Sequence, residues 1–308
     1  MRGRDASLSD ATDTRTGGKM TKTKNILAFI LTSLVIAVTA RSAAETAATE
    51  SLKRFNSDEA LKLDASDCDA GFSFAVMADT HQSESVFPRF ARMVADAKPA
   101  FAVTVGDFTN NGLAEEYARY VEAISGAGVP WFSIPGNHEY RTPAGRTSHD
   151  GKKRFEKIFG PADFAFEHCG WRFVFLDVVA YDLLSPSQLK KLDRALTGSG
   201  GRAAVFAHYP PAVIEKWAEG IWVSGAQDAM RVMNERETRY FFGGHIHVHD
   251  SYVAGPTTYI VTGGGGGGLD TDYSPKDLWS PSAGPFHHFI MVDVKGGESS
   301  FRIVKLEE

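Results

Sequence analysis

Residues of types that bind metal ions recur along the 308-residue chain in five blocks: Asp79-Thr80-His81, Gly106-Asp107, Gly136-Asn137-His138-Glu139, His208 and Gly244-His245-Ile246-His247. Carboxylates, imidazoles and an amide oxygen without thiolate favour Mn, Fe or Zn over Ca or Cu(I). Any one of these histidines taken alone reads more simply as a hydrogen-bonded core residue. At this composition an Asp-x-His arises about 0.5 times per chain by chance. A Gly-His-x-His arises about 0.03 times and a Gly-Asn-His-Glu about 0.001 times. The ordered set therefore carries the signal, and the first motif alone does not.

What positions these residues is visible just upstream of each block. Phe72–Ala78 is a continuous apolar run, as expected of a strand covered on both faces, and it leads into Asp79. Val86–Ala97 has helical spacing, Ala100–Val105 reads as a second buried strand, Leu113–Ile124 as a helix and Pro130–Ile134 as a third strand. This βαβαβ order points to parallel strands with crossover helices. Further on, Phe164–Phe166 and Trp171–Leu176 read as a hairpin. Pro186–Leu196 reads as a helix with Ser185 as N-cap. Ala203–Ala207, Arg239–Phe242, Val248–Val253, Thr257–Val261, Phe286–Val294 and Ser299–Leu306 are strand-like. Too many strands follow too few helices for one doubly wound sheet. Two stacked sheets with helices outside are expected. Ligands of open α/β sheets sit beyond the carboxyl ends of strands, so five strand ends bearing Asp, Asn or His can converge.

The five blocks, in this order, resemble those of the calcineurin-like metallophosphoesterases, over about residues 72 to 294. The resemblance implies a four-layer αββα sandwich of two mixed β-sheets, with the metal site at the C-terminal ends of strands. It implies two divalent metal ions (Mn, Fe or Zn). One would be held by Asp79, His81, Asp107 and His247, the other by Asp107, Asn137, His208 and His245, with Asp107 bridging. A bridging carboxylate has two oxygens with which to tie two cations together. The implied activity is hydrolysis of phosphate mono- or diesters by a metal-bound hydroxide. His138 would stabilise the transition state or act as general acid, and Glu139 would orient His138. Purple acid phosphatases, which are relatives, carry a tyrosine three residues after the bridging aspartate and no histidine in the first block. Here those positions are Asn110 and His81, so no tyrosinate–iron site is expected.

Two other classes fit less well. A metal-binding interaction scaffold without catalysis would be expected to lack a ligand or His138, and none is missing. An amidohydrolase-type enzyme wants its His-x-His after the first barrel strand, whereas this one lies near residue 245. Around the site, Tyr140–Gly151 reads as a loop carrying Arg141, Arg146 and His149, more simply solvated than phosphate-facing. Gly263–Gly268 is either bare backbone passing close to metal or substrate, or a hinge opening a lid through Asp270–Pro285. His249 is expected to be structural, bordering the cleft is only the lesser reading of His287 or His288, and Asn110 and Asn111 are expected to be loop formers.

Composition sets the outer limits. With 43% hydrophobic residues and a net charge of −5, the chain is globular, and its acidity argues against long nucleic acid or an anionic membrane as partner. A small phosphorylated substrate is the partner expected. Lys19 to Lys24 form a basic run before the apolar block Ile26–Val38, which is shorter than a membrane span and of signal-peptide length. Residues 1–40 are therefore read as a signal peptide cleaved after Ala40 or Ala44, although Met20 opens a more usual signal sequence than Met1. An uncleaved anchor is the alternative. A periplasmic or secreted protein without stable membrane insertion after cleavage is expected. Residues 41–70 read as a flexible leader and 71–308 as the metallophosphoesterase domain. In an oxidising compartment Cys68 and Cys169 are expected to pair, tying leader to domain, with two buried free thiols as the alternative.

Overall fold

A computed structural model describes residues 55–63, 68–141, 148–179, 184–211, 225–272 and 278–307. The expected signal peptide, most of the leader, Arg146 and residues 273–277 of the expected lid lie outside the described residues. The first sheet has five strands in the order β11-β10-β1-β2-β3. Its strands are β1 (Phe72–Met77), β2 (Phe101–Val105), β3 (Trp131–Ile134), β10 (His288–Lys295) and β11 (Glu298–Lys305). The second has six, in the order β4-β5-β6-β7-β9-β8. They are β4 (Phe164–His168), β5 (Trp171–Leu176), β6 (Ala203–Ala207), β7 (Tyr240–Gly243), β8 (His249–Ala254) and β9 (Thr257–Thr262). Both sheets are mixed. β1, β2 and β3 run parallel, as do β5, β6, β7 and β9, while β10, β11, β4 and β8 pair antiparallel at the edges.

Alternation along each strand builds the layers. Phe74, Val76, Phe101, Val103 and Phe132 of one sheet meet Phe173, Phe206, Phe242 and Ile260 of the other in a core between the sheets. The neighbouring positions Ala75, Met77 and Ala102, and Val174, Val205 and Phe241, face outward into helices. Those helices are α1 (Phe55–Ala60), α2 (Phe87–Ala97), α3 (Ala114–Gly126), α4 (His149–Phe159), α5 (Pro186–Leu196) and α6 (Ala226–Glu235). This is the four-layer αββα sandwich. Among the described residues no helix is long and apolar enough to cross a membrane.

Three elements differ from the sequence reading. The stretch read as a flexible leader contains α1, whose Asn56 side chain donates to Ser133 O (2.8 Å) and accepts from Ser133 N (3.0 Å). Glu59 accepts from Trp131 N at 3.2 Å, so α1 covers the otherwise open edge of β3. Tertiary partners, not apolar periodicity, hold this turn. Helix α4 begins inside the segment read as a loop, capped by Ser148, whose hydroxyl accepts from Gly151 N at 3.2 Å. Its apolar face is only Phe155, Ile158 and Phe159 in a run of charges. The third, α6, buries mainly small or widely spaced side chains, Ala226, Ala229, Val232 and Met233, too dilute a pattern to stand out.

Cys68, just before β1, and Cys169, in the β4–β5 turn, form a disulfide at the amino ends of β1 and β5, opposite the histidine clusters.

Candidate metal centre

Five parallel strands deliver the site. Asp79 and His81 follow β1, Asp107 follows β2, Asn137 and His138 follow β3, His208 follows β6, and His245 and His247 follow β7. Asp79, His81, Asp107 and His245 all adopt positive φ, between 48° and 70°. Left-handed backbone at a residue with a Cβ costs of order 1–3 kcal/mol and persists only where its surroundings enforce it. Here the enforcement is a network of backbone bonds: Asp79 N donates to Gly106 O at 3.0 Å and His81 N to Asp107 O at 2.8 Å. Close approach explains the glycine that opens Gly-Asn-His-Glu. A Cβ on Gly136 would lie 2.1 Å from Asp107 Oδ1.

The expected ligands gather into groups whose donor atoms lie within 4.8 Å of one another: Asp79, His81 and His247; and Asp107, His208 and His245. A third group joins His81, Asp107 and His138 across the middle. Asn137 Oδ1 completes the second group, 3.2 Å from His208 Nε2 and 3.1 Å from His245 Nδ1. The two aspartates are built alike. Asp79 Oδ2 accepts from His245 N at 2.8 Å, and its Oδ1 is buried without a hydrogen bond, 3.4 Å from His247 Nε2. Asp107 Oδ1 accepts from His138 N at 2.8 Å, and its Oδ2 lies 3.3 Å from His208 Nε2 and 3.8 Å from His138 Nε2. Each carboxylate thus has one oxygen committed to a backbone amide. In Asp107 the oxygen left facing the neighbouring histidines is Oδ2.

Outer partners set the imidazole tautomers. His208 Nδ1 donates to Val105 O at 2.8 Å and His247 Nδ1 donates to Gly268 O, so both turn Nε2 inward. His81 Nε2 faces His247 Nε2 at 3.3 Å. Two ring nitrogens facing each other, beside an orphaned carboxylate oxygen, require a cation or a proton between them. The residues present therefore fit divalent metal ions.

The titration behaviour of the metal-free groups follows the same logic. Burial works against charge on His208, but Asp107 overcomes it and raises the imidazole to about 9. Burial likewise opposes charge on His247, and Asp79 raises it to about 9. Burial and the neighbouring His208 push His245 down to about 4. Asp107 is held well below the usual carboxylate range, its histidine neighbours outweighing burial. His138 is lowered, first by burial.

Glu139 departs from its expected role. Its carboxylate accepts from Asp107 N (2.8 Å), Thr109 N (2.8 Å), Thr109 Oγ1 (2.9 Å) and Gly136 N (2.7 Å). It clamps the loops after β2 and β3 together and does not orient His138. The ring of His138 is held instead by the Asn110 carbonyl, 2.7 Å from Nδ1. Burial and the Asp107 charge raise Glu139 to about 7.

The periphery is mixed. The glycine run passes against the site: a Cβ on Gly267 would lie 2.5 Å from His81 Cδ2 and 3.1 Å from His247 Cε1. Its backbone also bonds to the end of β1, Gly265 N to Ala78 O and Gly267 N to Asp79 O. Of the two sequence readings, close approach is the one seen. Arg141 lies at the rim, Nη1 3.4 Å from Asn110 O. His149 is exposed on the first turn of α4. His249 is buried against His288 and Phe286 and belongs to none of the ligand groups. His287 Nδ1 lies 3.3 Å from Gly264 O, and buried His288 bonds to Thr262 and Phe286. Asn110, read as a loop former, contacts two of the site's histidines.

Comparison with known proteins agrees with this geometry. The family model for calcineurin-like phosphoesterases matches residues 72–249. The chain belongs to that family. Membership places it among metal-dependent phosphoester hydrolases. It is 28% identical over 197 residues to a 3',5'-cyclic adenosine monophosphate phosphodiesterase of Pseudomonas aeruginosa, covering 60% of this chain and 67% of that protein. It is 28% identical over 127 residues to a probable glycerophosphodiester phosphodiesterase of Arcobacter nitrofigilis, covering 38% of this chain and 44% of the relative. A purple acid phosphatase from yellow lupin shares the fold at TM-score 0.59 and 12% identity, with 76% of this chain and 52% of that chain covered. The chain thus spans about half the length of the lupin structure.

Proposed function

We propose that this phosphoesterase is an exported, dinuclear-metal hydrolase of small phosphate mono- or diesters. The observation that carries the dinuclear reading is the pair of ligand groups sharing Asp107. Asp79, His81, Asp107 and His247 would hold one divalent ion, and Asp107, Asn137, His208 and His245 the other, with Mn, Fe or Zn suiting the donors. When bound, two such ions supply Lewis acidity toward phosphoryl oxygens and lower the pKa of water.

The chain's own residues do the rest. Asp79 and Asp107 leave the site net positive once two divalent cations are present, which attracts a phosphate ester. His138, with Nδ1–H held by Asn110 O, presents Nε2 toward the centre, and its side chain remains 17% exposed where a substrate enters. As the P–O bond to the leaving alcohol breaks, His138 in its imidazolium form, protonated on both nitrogens, would hydrogen-bond the departing oxygen through Nε2–H or transfer that proton to it, leaving the neutral ring with its proton on Nδ1. Glu139 keeps the loops bearing Asp107 and His138 in register. The named substrates of the two relatives are both diesters, which supports including diesters in the substrate class. Export is supported by the basic run before Ile26–Val38 and by the Cys68–Cys169 disulfide, a bond typical of oxidising compartments.

Metal analysis of purified protein, followed by a panel of phosphate mono- and diesters, tests the reading. Two equivalents of metal with ester hydrolysis are expected. Stoichiometric metal with no turnover on any ester would instead favour the scaffold.

A further inference from the structure

We infer that Asn110 is a positioning residue that sets the proton positions of two site histidines at once. The inference rests on the proposed metal centre. Its side-chain Oδ1 lies 3.1 Å from His81 Nδ1, and its backbone carbonyl lies 2.7 Å from His138 Nδ1. A carbonyl oxygen only accepts, so both Nδ1 atoms carry the proton. His81 Nε2 is then left as a lone pair toward Asp79 and His247, and His138 Nε2 is left as its reacting atom. The two rings pack edge to face, 4.5 Å between centroids, and both Nδ1 atoms reach this one residue.

Asn110 is exposed, yet it is not free to move. The amide and hydroxyl of Thr109, just before it, both donate to the buried carboxylate of Glu139. The amide of Asn111, just after it, donates to Glu116 Oε2 at 3.0 Å. Glu116 is itself buried, and the same oxygen accepts from Leu113 N at 2.9 Å at the start of α3. Two carboxylates thus grip the peptide on each side of residue 110. Its two oxygens are pre-aimed before metal or substrate arrives.

The two arms can be separated by mutation, because a side-chain change removes Oδ1 and leaves the carbonyl. Removing a partner that orients a metal-bound histidine lowers metal affinity by about 10–100-fold. In calorimetric titration with Mn²⁺, Asn110→Ala is expected to weaken one of the two binding steps by that amount and leave the other unchanged. Asn110→Asp, whose carboxylate also only accepts, is expected to restore it. Across aryl phosphate esters of good and poor leaving groups, both variants are expected to keep the wild-type rate ratio, while His138→Ala changes it.

Unchanged Mn²⁺ binding in Asn110→Ala, or an Asp variant as weak as the Ala variant, overturns the inference. So does an altered leaving-group ratio in either variant. Metal-free melting checks that the fold is kept. Should Asn110→Ala not fold, Asn110→Asp against wild type decides alone, and weaker Mn²⁺ binding than wild type sinks the idea. Wild type that binds Mn²⁺ but hydrolyses no ester would remove the proposed function and leave this result readable.

Discussion

Individual side chains in this site work by division of labour between two oxygens or two nitrogens. Asp79 and Asp107 each give one oxygen to a backbone amide and keep one for the centre. This makes Asp107 Oδ2 the hinge of the dinuclear reading. Asp107→Ala is expected to lower bound metal and abolish turnover together, which metal analysis and ester hydrolysis would show in one preparation. His138→Ala is expected to spare metal and lower turnover by ~10²–10⁴, the ordinary worth of a positioned acid or base. Turnover retained by the Asp107 variant would refute the two-metal scheme. These residues could be picked out by type and spacing, but their atoms could not. Nothing in Gly136-Asn137-His138-Glu139 says that Glu139 turns back to its own loop while a carbonyl 28 residues upstream holds His138. Hydrogen-bond partners depend on where two loops meet, and local spacing does not encode that.

Secondary-structure elements set the site through their ends. Strands β1, β2, β3, β6 and β7 were legible as apolar runs because buried parallel strands are covered on both faces. Glu139 joins two of these ends. Glu139→Ala would orphan four buried donors at ~1–3 kcal/mol apiece, so a loss of about 4 kcal/mol or more is expected in urea unfolding of the metal-free protein. Glu139→Gln keeps one accepting oxygen and should lose less. A Glu139→Ala protein as stable as wild type would show that the clamp is idle. Helices α1, α4 and α6 escaped the sequence reading for different reasons: α1 is held by tertiary partners, Asn56 on Ser133 and Glu59 on Trp131, whereas the buried faces of α4 and α6 are a few apolar residues among charges or are half alanine.

For the molecule as a whole, two features tie distant parts together, the candidate metal centre and the disulfide. Without metal, the raised His208 and His247 contribute stability that is present below pH 6.5 and lost as pH rises through about 9. The lowered His245, His249 and His288 act oppositely. Their contribution is present above pH 6.5 and lost as pH falls to about 4 for the first two and about 3 for the third. The metal-free melting temperature is therefore expected to peak near neutrality. Metal loading should flatten its alkaline side, because cations replace the protons on His208 and His247. An apo protein whose melting temperature rises steadily from pH 6.5 to 9 would contradict this. The Cys68–Cys169 bond closes a separation of 101 residues, and replacing both by Ser should lower stability by about 2–5 kcal/mol in chemical unfolding.

The amino-acid order by itself determined which residue types follow which strands, and hence the family, the layered fold and the set of candidate ligands. Apolar period and motif spacing are local properties, readable without coordinates. Only the tertiary structure decided which oxygen of Asp107 faces the centre, which side chain grips which loop, and that Asn110 bonds to both His81 and His138. Those are contacts between segments up to 166 positions apart. They arise from left-handed turns and backbone amides that converge only when two sheets have packed face to face.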